Sequence, residues 1–424
     1  MKTKILLAGV VLLLVAGIAA AVMWWPRRPQ VIILDNGDKL TLVGVTYGKH
    51  HALPTGKKTL AASQRRRRGG QVFDTPNNTL VVWIRQEHPA NHWQNYQTYL
   101  YDPAGTACVG QSSRRSWGAG TNEVVCVQFD SFPHRPGKIH LKVQEYVPNV
   151  GQVMNGKYFI FANPARGPFD RWLPEPLPAT KTDEDFTVTL TKLETGVAGG
   201  YNRDPDHPDD VINKGVEAVF QAQQNGTNTV NWLPVGIETS DATGNHQGAG
   251  ASSHWDGDTV VSDYQWGLWA GEPAWKLRVE FSQQSNFSDR ELWSVTNIPV
   301  QAGTMQNYWN WTRSRTNTPF AQTTINGAMI KIYPVQQFTD MSPGSSPEGV
   351  LFMHADGMPE GMHLTLLKLT DAQGGDIQNW GWSTDSYGLR DISGVTNFNL
   401  TIAVHQSHFF EFTVKPARTT EAAP

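Results

Sequence analysis

Two apolar patterns divide the chain. From Ile5 to Trp25 the residues ILLAGVVLLLVAGIAAAVMWW run for 21 positions without a charge. From about Thr79 onward, apolar residues alternate with polar ones in short runs rich in Val, Thr, Phe, Tyr and Trp, bounded by Gly, Pro, Asn and Asp. A period of two is a strand signal, and helical spacing is scarce. The expectation is an all-β body of three consecutive antiparallel β-sandwich-like domains behind one N-terminal transmembrane helix.

At 1.5 Å per residue the first stretch spans roughly 30 Å, the thickness of a bilayer's hydrocarbon core. Lys2 and Lys4 precede it, Trp24 and Trp25 end it at the level of an aromatic belt, and Pro26, Arg27 and Arg28 follow. The run exceeds the roughly 7–15 residues of a signal-peptide core, which favours a retained signal anchor. Cleavage after Ala19-Ala20-Ala21 would instead release a secreted chain. Lys and Arg are nearly balanced across the stretch, so the extracytoplasmic placement of the body rests on the signal-like layout.

Three segments of the body end alike. KIHLKVQEY is followed by KYFIFANP, WKLRVEF by ELWSVTNIP, and FNLTIAVHQ by FFEFTVKP; each is an alternating strand, a connection, a second strand and a proline. Upstream, each carries an Asp-to-Gly turn after a strand: Asp102 to Gly105, Asp241 to Gly244 and Asp371 to Gly374. This recurrence sets sandwich domains at 72–164, 183–301 and 325–416. A Pro-rich linker is expected at 165–182, a second linker at 302–324 and a disordered tail at 417–424. Residues 26–71 read as a basic juxtamembrane collar containing one hairpin around Asn36-Gly37, with the Arg65 to Arg68 run as a solvated tether or a lipid-headgroup contact.

Charge and cysteine content narrow the function classes. The net charge of −3 gives no support for a nucleic-acid partner, and no Gly-rich loop follows a strand and opens a helix, which argues against a nucleotide. The two cysteines, Cys108 and Cys126, flank a turn-rich segment, and outside the cytoplasm they are expected to form a disulfide, with two free core cysteines as the alternative.

Candidate chemistry is sparse. Asp204, Asp206, Asp209 and Asp210, with His207, make an acidic loop that reads first as a solvated connection between strands and second as a calcium site, since the EF-hand pattern is absent and Pro205 and Pro208 limit how it can wrap an ion; no cofactor is expected otherwise. His88 and His92 are spaced like a helical metal pair, but Pro89 lies between them, and His50-His51 reads as a surface pair. No nucleophile elbow occurs; Glu280, Asp289 and Glu291 are available for paired-carboxylate chemistry, which only geometry decides. Trp255, Trp266, Trp269, Trp275 and Trp293 crowd the second domain and read mainly as core. Trp380 and Trp382, flanking Gly381 in a QNWGWSTD loop, are the better ligand platform.

The functional expectation is a membrane-anchored, non-catalytic extracytoplasmic protein that binds or positions an envelope partner. The alternatives are a surface carbohydrate-binding protein using the Trp-rich loops and, behind it, a surface hydrolase.

Overall fold

The structure, a computed structural model, describes residues 29–35, 37–53, 72–87, 96–101, 107–110, 113–119, 122–147, 151–152, 157–165, 167–198, 214–249, 252–264, 267–304, 318–339, 348–383 and 386–418. Some strand side chains, those of Cys108, Trp380 and Trp382 among them, are outside the description. The described residues are all β, and none of them forms a helix long and apolar enough to cross a membrane. The expected transmembrane stretch, residues 5–25, lies outside them. The chain divides into two compact units, Met1–Pro168 and Phe169–Pro424.

In the first unit, one antiparallel sheet runs in the order Val31–Ile33, Lys39–Ala52, Val72–Glu87, Asn122–Phe129, Ser113–Ala119. A second runs Lys157–Ala162, Lys138–Val147, Tyr96–Tyr101, Ala107–Gly110. The expected hairpin is formed: Gly37 has φ +88°, which a side chain would resist, and its N–H donates to the Leu34 carbonyl at 3.0 Å.

The described part of the 26–71 collar is not separate from the first sheet. Its second strand pairs along the Val72–Glu87 strand from Lys39–Glu87 to Ala52–Val72. The reason lies in LVVWI: Leu80, Val81, Val82, Trp83 and Ile84 are all fully buried, so this strand has both faces covered and needs a neighbour on each edge. A buried polar chain also ties the hairpin in. Tyr96 donates to Gln86, and Gln86 to the carboxylate of Asp38, each at 3.2 Å.

The second unit holds two cores. One lies between the sheet built on Phe186–Ala198, Lys214–Gln224 and Thr259–Tyr264 and the sheet ordered His246–Ala249, Trp232–Asp241, Trp275–Gln283, His408–Val414. Phe186, Phe220, Phe281 and Phe412 fill it. The other is enclosed by a nine-stranded sheet that includes Ala328–Ile332, Gly349–Asp356, Leu292–Gly303, Asn397–Gln406 and Met362–Asp371. The two described Asp turns are near copies. Gly244 N–H and Gly374 N–H each donate to the Asp carbonyl at 3.2 Å, and the Asp241 and Asp371 carboxylates accept backbone N–H groups of their own turns.

The three repeats are recognisable as strand pairs: Tyr96–Tyr101 with Lys138–Val147, Trp232–Asp241 with Trp275–Gln283, and Met362–Asp371 with Asn397–Gln406. In the first, the strand that follows, Lys157–Ala162, closes its own sheet. In the other two the closing strands are exchanged. Leu292–Gly303 pairs with Asn397–Gln406, and His408–Val414 pairs with Trp275–Gln283. Burial agrees: Val295 and Ile298 belong to the third repeat's core, while Phe410, Phe412 and Val414 belong to the second's.

Seams at 183–301 and 325–416 therefore do not follow the hydrogen bonding. Only Ser407 stands between Asn397–Gln406 and His408–Val414, and an antiparallel hairpin needs at least two loop residues. The chain runs straight on into the other sheet. The expected linkers are shorter too. Glu175 N–H donates to the Thr413 carbonyl at 2.6 Å and Ala179–Asp183 is already a strand, while Ala321–Ile325 begins the third repeat inside the 302–324 segment. At the tail, Ala417–Arg418 pairs with the Phe186–Ala198 strand; residues 419–424 lie outside the description.

The exchange predicts where damage spreads. Phe412→Ala, a fully buried position in the last strand, is expected to cost about 3–5 kcal/mol. In hydrogen exchange the lost protection should appear in Trp232–Asp241 and Trp275–Gln283. Loss confined to Asn397–Gln406 would show that the strand closes its own repeat instead.

Candidate functional site

The polar groups of the second unit converge where the exchanged strands cross. Along Trp275–Gln283 the apolar residues Trp275, Leu277, Val279 and Phe281 point into the core, which leaves Lys276, Arg278 and Glu280 on the other face. Glu280 lies opposite Phe409 on one neighbouring strand and Gly236 on the other. From the third repeat come His363 and His405, directly paired across Met362–Asp371 and Asn397–Gln406. Ser407, the crossover residue, completes the set, held by its N–H to the Gly361 carbonyl at 2.7 Å.

One oxygen of Glu280, Oε1, joins the two repeats. It is 3.0 Å from Nδ1 of His363 and accepts the Ser407 hydroxyl at 2.9 Å. Beside it, Nε2 of His405 lies 3.2 Å from the Ser282 hydroxyl and 3.1 Å from that of Thr365, and Nδ1 lies 3.1 Å from the Gln406 carbonyl. With Nδ1 donating to the carbonyl, Nε2 accepts from the hydroxyls, the arrangement of a neutral imidazole.

Electrostatics follow from these contacts. Burial pushes the Glu280 carboxyl up, but the hydrogen bond and charge of His363, the Ser407 hydroxyl and the Arg278 charge outweigh it and hold it below the usual range. Burial lowers the pKa of His405, partly offset by its bond to the Gln406 backbone. Arg278 is itself placed by Phe409, with its guanidinium 4.3 Å from the ring centre.

Two kinds of chemistry are laid out here. Ser282 and His405 stand at nucleophile–base distance, but Ser282 is fully buried and His405 is 1% exposed, so no substrate reaches them. The Glu280–His363 couple is part-exposed, and its carboxylate fixes the ring through Nδ1, as in acid–base pairs. Among the described residues, no three His, Cys, Asp or Glu side chains converge as metal ligands.

Of the residues singled out from sequence, Glu280 stands in this cluster. The Asp204, Asp206, Asp209, Asp210 loop with His207, the His88 and His92 pair, the Arg65 to Arg68 run and Trp266 lie outside the described residues. Trp275 is core, as expected, and Trp255 and Trp293 pack partly against the two cores. Trp380 and Trp382 belong to a strand, Asn379–Ser383, rather than a loop; their side chains are not described. Glu280 and Glu291 serve separate local roles, for Glu291 accepts the Ser288 N–H and hydroxyl, both at 2.8 Å.

His50 and His51 are not a surface pair. His50 binds the Asp74 carboxylate at 2.6 Å, while His51 is fully buried against Thr46 and Thr75 on the opposite face of the strand. Cys126 is a free buried thiol, so the disulfide expected with Cys108 is not made there. It packs with Val81, Trp83 and Val124, and burial pushes its pKa up to about 11.

His363, His405 and Ser407 were not found from sequence. The available signal was the HQSH interruption, Gln406 flanked by His405, Ser407 and His408, inside an otherwise apolar alternating run. Compared with known proteins, the chain matches no protein-family model and no curated sequence.

Acid should loosen the crossover in two steps. His405 is less basic folded than unfolded, so its contribution is full above about pH 6.5 and declines as pH falls below that. Glu280 is more acidic folded, so its contribution is present above about pH 4.3 and is lost as pH falls through the lowered folded value. Melting temperature followed from pH 8 to pH 3 should drop in both windows. Glu280→Gln should weaken the lower step and cost about 1–3 kcal/mol at pH 7; an unchanged pH profile would remove Glu280 from this role.

Proposed function

We propose that this chain is a membrane-anchored, non-catalytic extracytoplasmic protein whose β domains bind or position a partner, a protein or a glycan, in the cell envelope. The observation that carries the reading is how the crossover uses its polar groups. Glu280, His363, His405, Ser282 and Ser407 bond one repeat to the other, and the one nucleophile–base pair among them is sealed from solvent. Such chemistry maintains a shape rather than turning over a substrate. The uncharged run of residues 5–25 supplies the anchor, or a secretion signal where it is cleaved.

A glycan-binding reading is favoured by one feature: among the described residues Asn379–Ser383, which carries Trp380 and Trp382, pairs only with Ser386–Leu389 and so forms an edge of its sheet. Edges are where a sheet recruits partners.

The anchored reading is tested with two C-terminal fusions of the full chain, one to alkaline phosphatase and one to a fluorophore that matures only in the cytoplasm. Carbonate-resistant membrane recovery with an active phosphatase and a dark fluorophore is expected. A glowing fusion would overturn the compartment, and release into the soluble fraction would overturn the anchor. Hydrolase turnover on a broad substrate panel that vanishes in His363→Ala would defeat the non-catalytic part. If glycan binding exists, Trp380→Ala with Trp382→Ala should weaken it at least about tenfold, given about 1–3 kcal/mol per aromatic stacking contact.

A further inference from the structure

The first unit closes one side of its two sheets without a backbone ladder. The Val31–Ile33 strand is the edge of one sheet and Lys157–Ala162 the edge of the other. They run antiparallel to each other and are joined by side chains. The Gln30 amide donates to the Ile160 carbonyl and accepts the Ile160 N–H at 2.8 Å, standing in for a strand residue. At the other end Lys157 donates to the Ile33 carbonyl and pairs with Asp35 at 3.0 Å. Both edges therefore have their backbone groups partly engaged.

The side chains over this seam are what need explaining. Ile32, Phe159 and Phe161 point inward, as alternation requires, and are buried. Val31, Ile33, Tyr158 and Ile160 point out, and each is between 41% and 60% exposed. The Gln30 and Lys157 bonds set the two edge strands that carry these four side chains next to each other. An exposed apolar patch of this kind marks an interaction surface.

Chain length identifies the occupant. Gln30 follows Trp25 by five residues, and five residues reach at most about 18 Å fully extended. Resting on the reading of residues 5–25 as a membrane anchor, we infer that the seam made by Val31, Ile33, Tyr158 and Ile160 is a membrane-resting surface that seats the first unit on the lipid interface. The end of the patch beside Gln30 therefore stands no farther than that reach from the anchor's exit point. Aliphatic side chains then enter the headgroup boundary, and Tyr158, apolar in its ring and polar at its hydroxyl, suits that depth.

The test uses the full chain reconstituted in phosphatidylcholine–phosphatidylglycerol vesicles doped with a lipid bearing a photoactivatable group high on its acyl chain. Peptide mass spectrometry then maps the labelled sites. Label is expected on residues 5–25 and also on peptides containing Val31 to Ile33 and Tyr158 to Ile160. The double variant Ile33→Asp, Ile160→Asp should lower the seam's label at least roughly tenfold, since even one large apolar side chain removed weakens an apolar contact by about that factor. Circular dichroism checks that this exposed pair leaves the β fold intact. Label on residues 5–25 with none on the seam overturns the seam proposal and leaves the anchor standing. Label on neither overturns the anchor and the seam together.

Discussion

A single residue, Ser407, separates a strand that lines the third core from one that closes the second, and much of the second unit follows from that spacing. Too short for a hairpin, the connection forces the chain out of one sheet and into another. The vacated edge of Asn397–Gln406 is taken by Leu292–Gly303, the strand that the second repeat would otherwise have used. Neither core can then be completed by its own segment of sequence.

The crossover brings strands of different sheets within side-chain reach, and its chemistry is fitted to that. Glu280 binds His363 and Ser407 across the junction, while His405, kept neutral by burial, collects two hydroxyls and a carbonyl. A neutral imidazole suits a buried position because it has one donor and one acceptor to satisfy and no charge to desolvate. His408 stands nearby, at the end of the second core. Its Nδ1 lies 2.8 Å from Asp183, and its ring packs against Phe186 and Trp232.

The first unit meets an edge problem by different means. Its closing strand returns to its own repeat, and the remaining gap between sheets is bridged by the Gln30 amide and the Lys157 ammonium. Side-chain closure of this kind engages backbone groups while leaving the outward residues part-exposed. The hairpin that supplies Gln30 is tied to the unit's interior by Asp38, whose carboxylate is fully buried.

The sequence by itself determined the β character, the hairpin at Gly37, the core role of Trp275 and the Asp turns at 241 and 371. All of these are local: alternation, a glycine with positive φ, or a carboxylate bonding its own turn. It also held an unused sign of the crossover, because HQSH contains no glycine, proline, asparagine or aspartate to turn the chain. Partner choice was decided only in three dimensions. Ladder hydrogen bonds are the same for any alternating strand, so ELWSVTNIP and FFEFTVKP were equally fit to close either repeat. Connection length chose between them, and the Glu280, His363 and His405 cluster exists only after that choice, with Glu280 more than eighty residues from either histidine.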